Sequence, residues 1–196
     1  MKEAMGMAEA RIGFAVTGSF CTFDAVFPRM QQLVDHGYSV VPIMSQHAYE
    51  TDTRFGRAEE WVRRAEEMTG EKVIHTIAQA EPIGPRKLLD LLIIAPCTGN
   101  TLGKLACGIS DTAPTLAFKS HRRNGRPVLL AVSTNDALAA AAANIGALMN
   151  RKGVYFVPYE QDDYRQKPTS CVADFEKILP AAEAALEGRQ LQPMIF

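Results

Sequence analysis

Leu91-Leu92-Ile93-Ile94-Ala95-Pro96-Cys97-Thr98-Gly99-Asn100-Thr101-Leu102-Gly103-Lys104-Leu105 passes from an unbroken apolar run, through a short polar turn, into a helix start. A run that short and that free of polar residues fits a strand buried on both faces. Pro96 is expected to end the strand, and the small or polar residues behind it leave room for a flat ligand. The same pattern recurs. Apolar runs rich in β-branched residues stand at 12–16, 38–44, 128–132 and 154–157, and a further short strand candidate at 73–77. Between them Val26, Phe27, Met30, Leu33 and Val34 form one helical stripe, and Leu138, Ala142, Ile145 and Met149 another. Val172, Phe175, Ile178, Leu179, Ala182 and Leu186 predict a closing helix. Gly37, Gly70 and Gly153 stand where helices should stop. This alternation predicts an α/β chain: a three-layer α/β/α Rossmann-like fold with a mostly parallel sheet of about six strands.

The chain's 196 residues are 47% hydrophobic and 22% charged, enough for one domain with a proper core. That domain is expected over 11–187, with a loosely ordered N-terminus at 1–10 and a C-terminal tail at 188–196, loosely held from Gln190 onward. A formal net charge of -1 argues against a nucleic-acid partner. No apolar run approaches the roughly 18–20 residues that span a bilayer, and the charged start lacks an apolar signal core, so no membrane association and a cytoplasmic location are expected. Cys21, Cys97, Cys107 and Cys171 form no CxxC pair, so free thiols are expected rather than a disulfide framework or a metal site.

In an open parallel sheet, ligands bind beyond the carboxyl ends of the strands. After the first strand comes Thr17-Gly18-Ser19-Phe20-Cys21-Thr22, where Gly18 permits close backbone approach and the free N–H groups of a helix start suit a phosphate. Ser19 is equally an ordinary N-cap residue. The second strand ends in Ser45-Gln46-His47, and His47 is either a proton-transfer group or a surface-loop histidine. Ser133-Thr134-Asn135 close the strand at 128–132. Neighbouring strand ends thus present neutral donors and acceptors, chemistry that holds and orients a cofactor. Neither GxGxxG nor GxxxxGK[ST] occurs. His121-Arg122-Arg123-Asn124 read first as a basic last helical turn, with attraction of a dicarboxylate as the alternative. Trp61, at helical spacing with Val62, Ala65 and Met68, reads as packing.

Residues 95–111, with Pro96, Asn100, Thr101, Lys104, Gly108 and Asp111, resemble the PASANT motif of the flavin-containing cysteine decarboxylase superfamily. Gly18-Ser19 resembles its first FMN-phosphate loop, and Ser133-Thr134-Asn135 lies where its PxMN motif belongs, with Thr134 in place of Met. GSFCTF at 18–23, MSQHAYETDTRFG at 44–56, APCTGNTLGKLACGISDT at 95–112, RPVLLAVSTNDAL at 126–138 and YEQDDYRQKPTSCVADF at 159–175 narrow the resemblance to the family of dipicolinate synthase B subunits.

The resemblance implies an FMN-binding oxidoreductase subunit that contributes to oxidising a dihydrodipicolinate-type precursor to pyridine-2,6-dicarboxylate in the mother cell of a sporulating bacterium. It implies a dipicolinate synthase A subunit as partner, carrying NAD(P), a small dicarboxylate substrate, and a homo-oligomer, trimeric or dodecameric. Gly18, Ser19, Phe20, Ser45, Pro96, Thr98, Thr101, Ser133 and Thr134 are then the cofactor-binding candidates, and His47, Asn100 and Asn135 the catalytic ones. The loop at 161–170 is expected at the surface, covering the flavin pocket. The alternatives are an FMN-dependent decarboxylase, a flavin prenyltransferase, or a non-catalytic scaffold for the A subunit.

Overall fold

A computed structural model describes residues 10–196. Strand β1 (Arg11–Val16) leads through a 3-10 turn at Phe20–Thr22 into α1 (Phe23–Asp35), β2 (Ser39–Met44) and the helices α2 (Gln46–Glu50), α3 (Ala58–Thr69) and α4 (Ile77–Ala80). Strand β3 (Leu91–Cys97) is followed by α5 (Gly99–Cys107) and α6 (Ala113–Arg123), and β4 (Val128–Thr134) by α7 (Ala142–Met149). The short strands β5 (Val154–Phe156), β6 (Tyr159–Glu160) and β7 (Cys171–Ala173) precede α8 (Ile178–Leu186).

The parallel sheet runs β2-β1-β3-β4, with β5 beside β4 on the far side. From β1 the chain moves first to one neighbour, β2, and later to the other, β3. Right-handed crossovers in opposite directions place their helices on opposite faces. Accordingly α1 packs with α8, whereas α6 packs with α4 and α5; α3, from the second crossover, packs instead on α1 and β2. The reversal between β1 and β3 opens a crevice at their carboxyl ends. Both strands are fully buried from Ile12 and Leu91 onward, which explains their unbroken apolar character. Trp61 is 5% exposed and stands edge-on to Phe23 at 5.3 Å, a core position as its spacing suggested.

The sheet has seven strands, and the two unforeseen ones, β6 and β7, are antiparallel. Ser133 pairs with Val172 and Thr134 with Cys171, so β7 continues from the tip of β4. Val172 therefore belongs to a strand, not to the closing helix. Asp174 ends that strand, its side chain accepting from Glu176 N (3.1 Å), and α8 begins only at Ile178. The candidate strand at 73–77 reduces to a single bridge, Ile43 to Ile74, because a capping box at Thr76 and Gln79 opens α4 at Ile77. Leu138 lies outside α7 and is 53% exposed. Pro96 stays within β3: the register shifts between Ile94 and Cys97, so the missing N–H interrupts no ladder there.

The expectation for residues 1–10 lies outside the described residues except at Ala10, whose carbonyl accepts from Ser39 N at 3.2 Å. The tail, expected to be loose from Gln190, bonds to the main chain of the segment at 156–159. Phe156 N donates to Gln190 Oε1 (2.8 Å) and Gln190 Nε2 donates to Phe156 O (2.7 Å), so one side-chain amide stands where a neighbouring strand would be. Farther on, Tyr159 N donates to Met194 O at 3.0 Å.

Candidate functional site

At the β1/β3 reversal lies a cleft of about 410 Å³, within the usual range of about 300–1,000 Å³ for small-molecule sites. Three strand ends supply its walls: Thr17, Gly18 and Phe20 after β1, Ser45, Gln46 and His47 after β2, and Thr98, Asn100 and Thr101 after β3. Lys104, Asp111 and Thr112 complete its lining. Seven of the sequence candidates thus share one cavity: Gly18, Phe20, Ser45, His47, Thr98, Asn100 and Thr101.

The local fold sets these groups. Ser45 caps α2, its hydroxyl accepting from Ala48 N (3.3 Å), and Thr98 caps α5, accepting from Thr101 N (3.2 Å). Thr98 Oγ1 also lies 3.0 Å from Thr101 Oγ1. The first N–H groups of α5, on Gly99 and Asn100, are left free by helix geometry, as are those opening the 3-10 turn at Phe20. Thr17, which carries no motif of its own in the sequence, ties the walls together. The residue is 1% exposed, and its hydroxyl donates to Pro96 O (2.6 Å) and accepts from Thr98 N (3.2 Å). The carbonyl of Pro96 is thereby occupied, and Pro96 serves the site through its backbone.

Ser19 and Ser133 stand next to the cleft and touch each other, Oγ to Oγ at 2.8 Å. Thr134 packs against Gly99, where an added Cβ would come within 2.7 Å of Thr134 Oγ1. Asn135 faces a different neighbour. Its carbonyl accepts from Thr169 Oγ1 (2.7 Å) and its side-chain Oδ1 from Ser170 Oγ (3.3 Å), so it tethers the base of the loop at 161–170. That loop is exposed through most of its length and folded on itself: Asp163 Oδ1 accepts from Gln166 N (3.0 Å), and Gln161 donates to Pro168 O (2.9 Å).

The site's charges are few and paired. Lys104 Nζ is 2.9 Å from both carboxylate oxygens of Asp111, and this ammonium hydrogen bond holds the Asp111 carboxyl below its usual range. Among the described residues no His, Cys, Asp or Glu cluster could hold a metal ion. Cys97 and Cys171 are buried free thiols, and Cys21 and Cys107 are exposed ones. No helix among the described residues is long and apolar enough to cross a membrane. Away from the cleft, Arg122 donates to the carbonyls of Arg126 (2.9 Å) and Lys152, so its guanidinium is spent on structure.

Residues 2–181 match the family model described as Flavoprotein. The chain is 45% identical over 185 residues to the dipicolinate synthase B subunit of Bacillus subtilis (strain 168), covering 94% of this chain and 92% of the relative. The crystal structure of the dipicolinate synthase B subunit from Bacillus halodurans C superposes with a TM-score of 0.90 at 41% identity, covering 98% of each chain. The FMN-dependent cysteine decarboxylase SpaF superposes at 0.70 with 21% identity, covering 93% of this chain and 99% of that one, a likeness of fold alone. The decarboxylase and prenyltransferase alternatives are therefore not favoured.

Proposed function

The chain belongs to the flavoprotein family, and from that membership we propose that it works as the FMN-binding B subunit of a dipicolinate synthase. The observation that carries the FMN assignment is the cleft at the β1/β3 reversal, walled by hydroxyl, amide and free N–H groups from three strand ends. Neutral donors at a helix start suit a phosphate, and hydroxyls suit a ribityl chain. Gly18 leaves the loop open, since a Cβ built there would meet nothing closer than the Phe20 ring at 3.7 Å. The residues present therefore fit the group. When bound, FMN supplies a ring able to accept a hydride.

The chain's own residues divide the remaining work. Gly18, Ser19 and Phe20 would hold the phosphate, with Ser133 fixing Ser19. Ser45, Thr98 and Thr101 would hold the ribityl hydroxyls, and Thr134 with Pro96 keeps the strand ends in place. His47 and Asn100 are exposed residues of the cleft wall, where a substrate proton can be taken or a carbonyl oriented. Asn135 would act on the substrate side together with the loop that it tethers. The substrate is a partly reduced pyridine dicarboxylate, whose oxidation to pyridine-2,6-dicarboxylate is favoured by aromatisation. An A subunit carrying NAD(P) completes the enzyme, and copies of this chain assemble into a homo-oligomer.

Mixing the purified chain with its A subunit, NAD(P) and the partly reduced precursor tests the proposal. FMN-dependent formation of pyridine-2,6-dicarboxylate above the rate of the A subunit alone is expected. The same rate with and without this chain would reduce it to a scaffold or less.

A further inference from the structure

We infer that Lys104 reads a carboxylate of the substrate, exchanging its Asp111 partner for the incoming anion; this rests on the dipicolinate reading above. A dicarboxylate entering the cleft gives up hydration around two negative charges. Neutral hydroxyl and amide donors compensate for only part of that loss, since hydrogen bonds from an ionised donor are roughly twice as strong. Among the described residues that line the cleft, Lys104 is the one with a permanent positive charge and Asp111 the one with a negative charge.

The two partners differ in burial. The Lys104 side chain is 22% exposed, whereas that of Asp111 is 55% exposed. Asp111 thus has water to return to when the ammonium changes partner, and Lys104 needs an anion wherever it turns. Lys104 follows Asn100 by four residues and Thr101 by three on α5, which sets all three on one helical face. Its flexible four-carbon stem allows the ammonium to move between Asp111 and a ligand one turn nearer the helix start. Gly18, at the proposed phosphate end, follows β1, whereas Lys104 stands on α5 after β3, so the two reach the cleft from different elements.

Calorimetric titration of the full chain with pyridine-2,6-dicarboxylate, with and without FMN, tests this assignment. Lys104→Gln should weaken the dicarboxylate by about tenfold or more. Lys104→Arg should stay within about threefold of wild type, and Asp111→Asn should bind as tightly as wild type or tighter. FMN affinity, read by flavin fluorescence, should be unchanged in all three. Equal weakening in Lys104→Gln and Asp111→Asn would make the pair a structural clasp and overturn the proposal, as would wild-type dicarboxylate affinity in Lys104→Gln. Loss of FMN affinity instead would assign the ammonium to the phosphate and overturn it as well. If Lys104→Gln fails to fold, Asp111→Asn and Lys104→Arg decide alone, and weakening in both sinks the idea. A wild-type chain that binds no dicarboxylate, alone or with the A subunit, would be the failure of the dipicolinate reading itself, and the assignment falls with it.

Discussion

Ser19 and Ser133 are 114 residues apart in sequence and 2.8 Å apart in space, Oγ to Oγ. Ser19 lies in the loop after β1 and Ser133 near the end of β4 itself, strands that are not neighbours: β3 lies between them, so the contact arches over its end. A group that Ser19 binds is thereby coupled to the end of β4.

Ser19→Glu should abolish FMN binding, because it sets a negative charge at the proposed phosphate position and breaks the contact with Ser133. Quenching of flavin fluorescence measures the affinity. Wild-type affinity in the variant would remove this loop from the site.

Thr17→Val keeps the shape and removes the hydroxyl, leaving the N–H of Thr98 and the carbonyl of Pro96 unpaired. A loss of about 1–3 kcal/mol is expected in urea unfolding, with FMN affinity falling as well, while Thr17→Ser stays near wild type. Equal stability of all three proteins would show that the hydroxyl holds nothing.

His47→Ala and Asn135→Ala should each lower turnover of the two-subunit mixture by about a hundredfold with FMN affinity nearly intact. Asn135→Ala should also speed hydrogen exchange across 161–170, since it removes the side-chain acceptor of Ser170. Full turnover in both variants would exclude these residues from the chemistry.

His121 supplies a pH dependence. Burial, helped by Arg126 and Arg122, pushes its pKa down to about 4 from an ordinary value of 6.5, while its Nε2 lies 2.9 Å from Pro127 O. The folded protein keeps the ring neutral and the unfolded chain protonates it first. Stability from this group is therefore full above pH 6.5 and is lost as the pH falls toward 4. The loss is on the order of 2–3 kcal/mol, and His121→Gln should flatten the urea midpoint across that window. An equally steep profile in His121→Gln would place the acid sensitivity elsewhere.

The five parallel strands were legible because strands buried on both faces are written as continuous apolar runs. Strands β6 and β7, of two and three residues, carry no such run. Val172 reads as helical because it stands three residues before Phe175, a spacing that ignores the turn fixed by Asp174. The strand-end candidates at the cleft were readable from residue type and position. The partnerships were not: whether the Thr17 hydroxyl faces inward, or Ser19 meets Ser133, depends on how distant segments are brought together. Nor does an asparagine's letter tell whether its amide points at a ligand or, like that of Asn135, is tied to a loop.

The amide of Gln190 against Phe156 has a counterpart at the other side of the parallel sheet, where Met44 N donates to Ile74 O (2.8 Å) and Ile74 N to Pro42 O (2.9 Å). An outside strand seeking to extend the sheet at these positions must first displace bonds already made within the chain. Such occupied margins oppose open-ended stacking of one copy's sheet onto the next, the route by which exposed β-edges aggregate. Copies of this protein that meet there must recognise each other through side chains, and so by shape.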